Sequence, residues 1–119
     1  MIGIKGTGIY LPDRRHSNFD RLEKFDMTEH FVRDKIGFTN LASKEPGQET
    51  SDLCMLAWGN LKRSQPISPD VIDCLVVCSQ NPDGHGLPHT SAIVHEKLGL
   101  SENCASFDIS LGCSGFVYG

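Results

Sequence analysis

The stretch FDISLGCSGFVYG at 107–119 carries the strongest chemical signal in the chain. A strand-like run passes into a turn of small residues, presents the thiol of Cys113, and continues through Ser114-Gly115 into the apolar start of a helix. Such a position suits a nucleophile. A cysteine at a helix N-terminus meets the positive end of the backbone dipole, which favours the thiolate. Gly112 and Gly115 permit a tight turn and close approach of a substrate. The backbone N–H of Cys113 can face a developing oxyanion. The competing reading is a structural thiol in a strand-to-helix turn. Lone cysteines are more often structural than reactive, and the residues alone leave both readings open.

Other chemistry-bearing residues point to blander roles. Gly6-Thr7-Gly8 begins like a dinucleotide-binding turn, but the third glycine of that pattern would fall at Leu11, and Pro12 blocks a following helix. His85 and His89, with Asp83 and His95 nearby, have the residue types of a metal site. The first two lie in a Gly/Pro-rich loop with no pattern of supporting residues, so a solvated or channel-lining loop is the better reading and no metal is expected. Lys62-Arg63 and Asp13-Arg14-Arg15-His16 read as exposed charge; either can meet the acidic helix of a carrier protein. The cysteines are Cys54, Cys74, Cys78, Cys104 and Cys113, an odd number without a CxxC pair. A disulfide framework or zinc knuckle does not fit, and reduced thiols in a cytoplasmic protein do.

The elements that must position Cys113 follow from hydrophobic period and punctuation. Residues 2–10 read as a strand stopped by Leu11-Pro12-Asp13. Asn18 is placed to cap a short helix with Phe19, Leu22 and Phe25 on one face, and Thr28 to cap a second that ends near Ile36 with Gly37 as its stop. Residues 43–49 form a polar loop. A third helix over 50–63 carries Leu53, Leu56, Ala57 and Leu61 at helical spacing, with Pro66 and Pro69 at its exit. The continuous apolar run 71–79 is the mark of a strand covered on both faces. The loop NPDGHGLPH follows, then a helix over 89–98 with Pro88 near its first turn and Gly99 at its end, then a buried strand over 105–110. Strands alternating with helices imply a parallel α/β sheet.

The length of 119 residues allows one modest domain. A net charge of -4 and a pI near 5.6 argue against broad nucleic-acid binding. No apolar run approaches the roughly 18 residues of a membrane helix, and the N-terminus lacks the pattern of a secretory signal.

The segment 107–119 resembles the nucleophile motif of β-ketoacyl-acyl-carrier-protein synthase III enzymes, with Asp108, Cys113, Gly115 and Phe116 at the matching places. The likeness runs through the chain in order. GTGIYLP at 6–12 is similar to that family's first strand and turn, EHFVRDKIGF at 29–38 to its helix and following turn, DVIDCLVVCSQNPDGHGLP at 70–88 to the strand leading into its channel loop, and HEKLGL with FDI to the approach to the nucleophile. Phe31 stands where many members carry a tryptophan that stacks on the coenzyme A adenine, and Lys35 where they carry an arginine on its other side. Ile36-Gly37 replaces their Thr-Gly, and Leu111-Gly112 replaces their alanines.

The resemblance implies an α/β, thiolase-like fold of layered αβαβα type, two similar halves in a five-layer sandwich that forms a homodimer. The chain would then be an N-terminal thiolase-like half-domain over 1–119, truncated just after the nucleophile, with the C-terminal half and its catalytic histidine and asparagine absent. The implied chemistry is transfer of an acyl group from acyl-coenzyme A to Cys113 and condensation with malonyl-acyl-carrier protein. Leu87 would line the acyl channel near the dimer interface. Coenzyme A enters as part of a substrate and no cofactor is implied; the partners are acyl-CoA, acyl-carrier protein and a second copy, with no nucleic acid and no membrane. The rival readings are a non-decarboxylating acyltransferase, a secondary-metabolite synthase, or a non-catalytic partner subunit, the last of which has no need of a cysteine at 113.

Overall fold

The computed structural model describes residues 3–119. The chain folds as two compact units, Leu11–Gly47 and Met1–Tyr10 with Gln48–Gly119.

In the unit Leu11–Gly47, β1 (Arg15–Ser17) pairs antiparallel with β2 (Asn40–Ala42), Arg15 opposite Ala42. The charge of residues 13–16 hides this ribbon from a pattern reading. Asn18 closes it: its backbone N–H donates to Thr39 O at 2.8 Å and its side-chain amide to Phe38 O at 2.7 Å. Its side-chain oxygen accepts no cap bond from the residues that follow, and the helix expected after Asn18 does not form. Two single 3₁₀ turns stand there, Phe19–Arg21 and Glu23–Phe25, ended by Asp26 in the left-handed region at φ 48°. Thr28 does cap: its hydroxyl accepts from Phe31 N at 3.1 Å. The resulting α1 (Glu29–Phe31) widens into a π-type turn over Val32–Ile36, which Gly37 closes by donating to Val32 O at 2.9 Å.

The larger unit carries the α/β pattern. The helix α2 (Thr50–Ser64) starts with a reciprocal capping box of Glu49 and Asp52. The strand β3 (Cys74–Cys78), helix α3 (Thr90–Leu98) and strand β4 (Ala105–Ile109) follow, with β3 and β4 parallel in the register Cys74↔Ala105 to Cys78↔Ile109. Gly99 ends α3 in the left-handed conformation, as its place predicts. β3 starts later than the apolar run that announces it, because Pro69–Val71 forms a 3₁₀ turn before it, and β4 ends one residue short of its run.

Two expectations fail. The strand expected at 2–10 is not formed over residues 3–10; Ile2 lies outside the described residues. This segment finds no ladder partner among the described residues, and side chains of α2 and of the residue that follows it take its carbonyls: Asn60 Nδ2 donates to Ile9 O and Gln65 Nε2 to Lys5 O at 2.8 Å. Gly8 lies so close to α2 that a Cβ there would sit 2.4 Å from Ala57 O. That approach gives Gly8 a packing role in place of a phosphate-binding one. Nor, among the described residues, is the sheet covered on both faces. Leu75, Val77 and Asp108 face α3, and Val77 is 6% exposed. Alternation puts Cys74, Val76, Cys78, Ala105, Phe107 and Ile109 on the other face, where Phe107 is 48% exposed. No helix among the described residues is long and apolar enough to cross a membrane.

Candidate active site

Two loops leave the carboxyl ends of β3 and β4, the end of an open parallel sheet where ligands characteristically bind. Their starting points are tied together: Ser79 N donates to Ile109 O at 3.1 Å, and Ser110 Oγ to Ser79 O at 3.0 Å. The loop after β3 carries Leu87, 79% exposed. The turn after β4 carries Cys113.

Cys113 occupies a 3₁₀ turn, Gly112–Ser114, that runs into α4 (Gly115–Tyr118). Gly112 takes φ 55°, a conformation a side chain resists, and so fulfils its expected part in the turn. Gly115 does not need to be glycine for space: a Cβ there would make an ordinary 3.6 Å contact with Ile109. The hydroxyl of Ser114 donates to Leu111 O at 2.6 Å and tightens the turn. Cys78 Sγ, at the end of β3, donates to Gly115 O at 3.4 Å. Cys113 is exposed, as are Cys74 and Cys78, whereas Cys104 is buried.

Behind this turn lies a set of buried polar residues. The carboxylate of Asp108 accepts from the backbone N–H of Thr90 at 2.9 Å and of Ser91 at 2.7 Å, the free donors at the start of α3. Burial opposes its ionisation, but the hydrogen bonds from Ser91 and Thr90, with a smaller part from the charge of His89, prevail and hold its carboxyl below the ordinary value. His89 Nδ1 stands 3.9 Å from Asp108 Oδ2 with its side chain 64% exposed. Asp83, 8% exposed, accepts from Ser51 N at 2.8 Å and so caps α2. Its own backbone N–H donates to Thr90 Oγ1 at 2.9 Å. A cavity of about 370 Å³ lies between α2, α3 and β3, with Trp58, Val77 and Val94 in its wall. Cys54 also lines it; burial, then the nearby Asp83 and Asp108 charges, push that thiol up.

Of the residues singled out from sequence, Cys113 and Leu87 lie on loops leaving the same strand ends. Phe31 and Lys35 belong to the other unit. Phe31 is 45% exposed and lines a hollow of about 450 Å³ with Phe25, Asp26, Met27 and Thr28. Lys35 is exposed on the adjoining π-type turn. Sequence reading missed Ser51 and Thr90, took Asp83 only as a neighbour in a discounted metal set, and took Asp108 only as part of a motif. A Thr-Ser pair just after Pro88 was the available signal for helix-start chemistry; partners 7 to 32 positions apart gave none.

No family model matches the sequence. The chain is 38% identical over 117 residues to a β-ketoacyl-[acyl-carrier-protein] synthase III of Caldanaerobacter subterraneus subsp. tengcongensis, covering 98% of this chain and 35% of the relative. Among solved structures it matches the synthase III of Thermus thermophilus with TM-score 0.83 and 28% identity, over 98% of this chain and 36% of that one. The 3-oxoacyl-[acyl-carrier-protein] synthase III of Aquifex aeolicus gives TM-score 0.78 at 30% identity, over 95% of this chain and 36% of that one. The chain thus spans about a third of the length of the relatives it matches. With the parallel β3–α3–β4 unit and the ordered likeness along the chain, these matches show that nearly the whole chain is similar to the N-terminal part of β-ketoacyl-[acyl-carrier-protein] synthase III enzymes and carries that part of the thiolase fold.

Proposed function

We propose that this chain supplies the acyl-accepting part of a condensing acyltransferase, with Cys113 as nucleophile. The observation that carries the reading is the exposed thiol in a glycine-led turn at the carboxyl end of β4. The Cys113 thiolate attacks the carbonyl carbon of acyl-coenzyme A. The carbon–sulfur bond to coenzyme A breaks, coenzyme A leaves as a thiolate that takes up a proton, and the acyl group rests on Cys113 Sγ. The Cys113 N–H donates to the oxyanion as it forms. Phe31 stacks on the adenine of coenzyme A while Lys35 holds its other side, and Leu87 lines the acyl channel.

Condensation then consumes malonyl-acyl-carrier protein. Loss of carbon dioxide leaves its electron pair on the adjacent carbon, which attacks the acyl carbonyl and releases the Cys113 thiolate with a β-ketoacyl thioester. The histidine and asparagine that the resemblance implies for this step are assigned to no residue of this chain. The working assembly in this reading is a cytoplasmic homodimer that needs no cofactor.

The test uses the complete polypeptide as it is made in the cell. Radiolabelled acyl-coenzyme A, without a malonyl donor, should leave its acyl group on the protein. Cys113→Ala should abolish that labelling and keep the circular dichroism spectrum, because the exposed thiol fills no core space. Label that persists in Cys113→Ala refutes the assignment. Adding malonyl-acyl-carrier protein should yield a β-ketoacyl product; transfer of the label to another acceptor without a new carbon–carbon bond would leave only plain acyl transfer.

A further inference from the structure

Thr90 stands where four segments meet. It is fully buried at the first position of α3. A threonine at a helix start ordinarily turns its hydroxyl to its own helix. This one does not. Its Oγ1 accepts from Asp83 N at 2.9 Å, in the loop that carries Leu87. Its backbone N–H donates to Asp108 Oδ2 at 2.9 Å, on the strand that leads to Cys113. Asp83 is itself held on two further sides, by Ser51 N at 2.8 Å and, through its carbonyl, by Gly86 N at 2.9 Å. Capping accounts for the carboxylates of Asp83 and Asp108. It does not account for the hydroxyl of Thr90, which serves no helix and ties the Leu87 loop to the residue whose backbone N–H holds Asp108.

We propose that Thr90 is a positioning residue, coupling the loop that carries Leu87 to the strand that carries Cys113, so that channel shape and nucleophile position are set together. This rests on the roles given to Leu87 and Cys113 above. Thr90→Val cuts only the hydroxyl link: shape is kept, and the backbone bond to Asp108 is untouched. Thr90→Ser keeps the hydroxyl and serves as the rescue.

In the complete polypeptide, rates of Cys113 labelling are measured with a two-carbon and an eight-carbon acyl-coenzyme A. The ratio of the two rates should change about five-fold in Thr90→Val, the effect of one net hydrogen bond, and return in Thr90→Ser. A folded Thr90→Val with an unchanged ratio overturns the coupling, and so does a Thr90→Ser that behaves as the valine variant. Should the valine variant fail to fold, Thr90→Cys takes its place, since sulfur is a weak acceptor. Hydrogen exchange separates this proposal from the function it rests on. Whether or not Cys113 is labelled, the valine variant should speed exchange at both 79–87 and 110–115; faster exchange confined to 79–87 overturns the coupling.

Discussion

Asp108→Asn tests how much of the site's frame hangs on one carboxylate. Its two oxygens accept from Thr90 N and Ser91 N, and the side chain is only 15% exposed. Asparagine offers one oxygen. Its amide nitrogen would face the other backbone N–H, donor against donor, and leave that group buried and unpaired. One charge-assisted bond is lost and the other becomes neutral, which sums to about 2–4 kcal/mol. The contact with His89 adds little, because that ring is mostly exposed.

The pH dependence has a fixed sign. Although burial alone would raise it, the hydrogen bonds from Ser91 and Thr90 hold the folded carboxyl below its ordinary value. The folded state therefore binds fewer protons, and this contribution is whole above the unfolded value of about 4. It drains away as pH falls through the lowered folded value. Urea denaturation of both proteins at pH 7, and in steps down to pH 3, reads this directly. Asp108→Asn should have the lower midpoint at pH 7, and the gap should narrow below about pH 4. Equal midpoints at pH 7, or a gap that ignores pH, would refute the argument.

Two further outcomes follow from close contacts and burial. Gly8→Ala would push a methyl group to 2.4 Å from Ala57 O and 2.6 Å from Leu61 Cβ, so thermal melting should show a loss of about 1–3 kcal/mol; an unshifted melt would mean the 4–10 segment does not pack on α2. Under limiting iodoacetamide, mass spectrometry should find Cys113 modified first, and last Cys104, which is buried, and Cys54, whose thiol is pushed up; modification of Cys54 ahead of Cys113 would contradict both the exposure and the charge argument.

What the sequence made legible was local. The period of 3.6 in α2, the cap at Thr28 and the glycine stops at 37 and 99 are each decided by neighbours within a turn, and each is found where expected. Alternating strand and helix likewise announced the parallel β3/β4 pair. The failures are non-local. Residues 4–10 have the composition of a strand, but a strand needs a ladder partner, and the side chains of Asn60 on α2 and Gln65 just after it supply its hydrogen bonds instead. Asn18 has the chemistry of a helix cap, but its amide nitrogen is turned to the carbonyl of Phe38, 20 positions on, and its oxygen accepts no cap bond. At the site, Cys113 was legible because a thiol between small residues is a local pattern. The Asp83–Thr90–Asp108 set was not, because a buried carboxylate is recognised only by the donors that surround it.

The strand β4 separates two tasks by its pleat. Asp108 points to the helices and locks α3, while its neighbours Phe107 and Ile109 point to the opposite face. There Gly115 packs against Ile109, and Gly119 lies so near Cys78 that a Cβ would sit 2.6 Å from its sulfur. Cys78 and Ile109 are register partners, so the turn holding Cys113 is seated on one face while its strand is fastened from the other. A slip of one residue would exchange the faces, putting the carboxylate under the turn and Ile109 against the open N–H groups of α3. The slip is costly, because it takes the carboxylate from its donors and strands those two buried N–H groups without an acceptor. The polar lock at Asp108 therefore fixes the register that aims Cys113, although it lies five positions from the thiol and on the other side of the sheet.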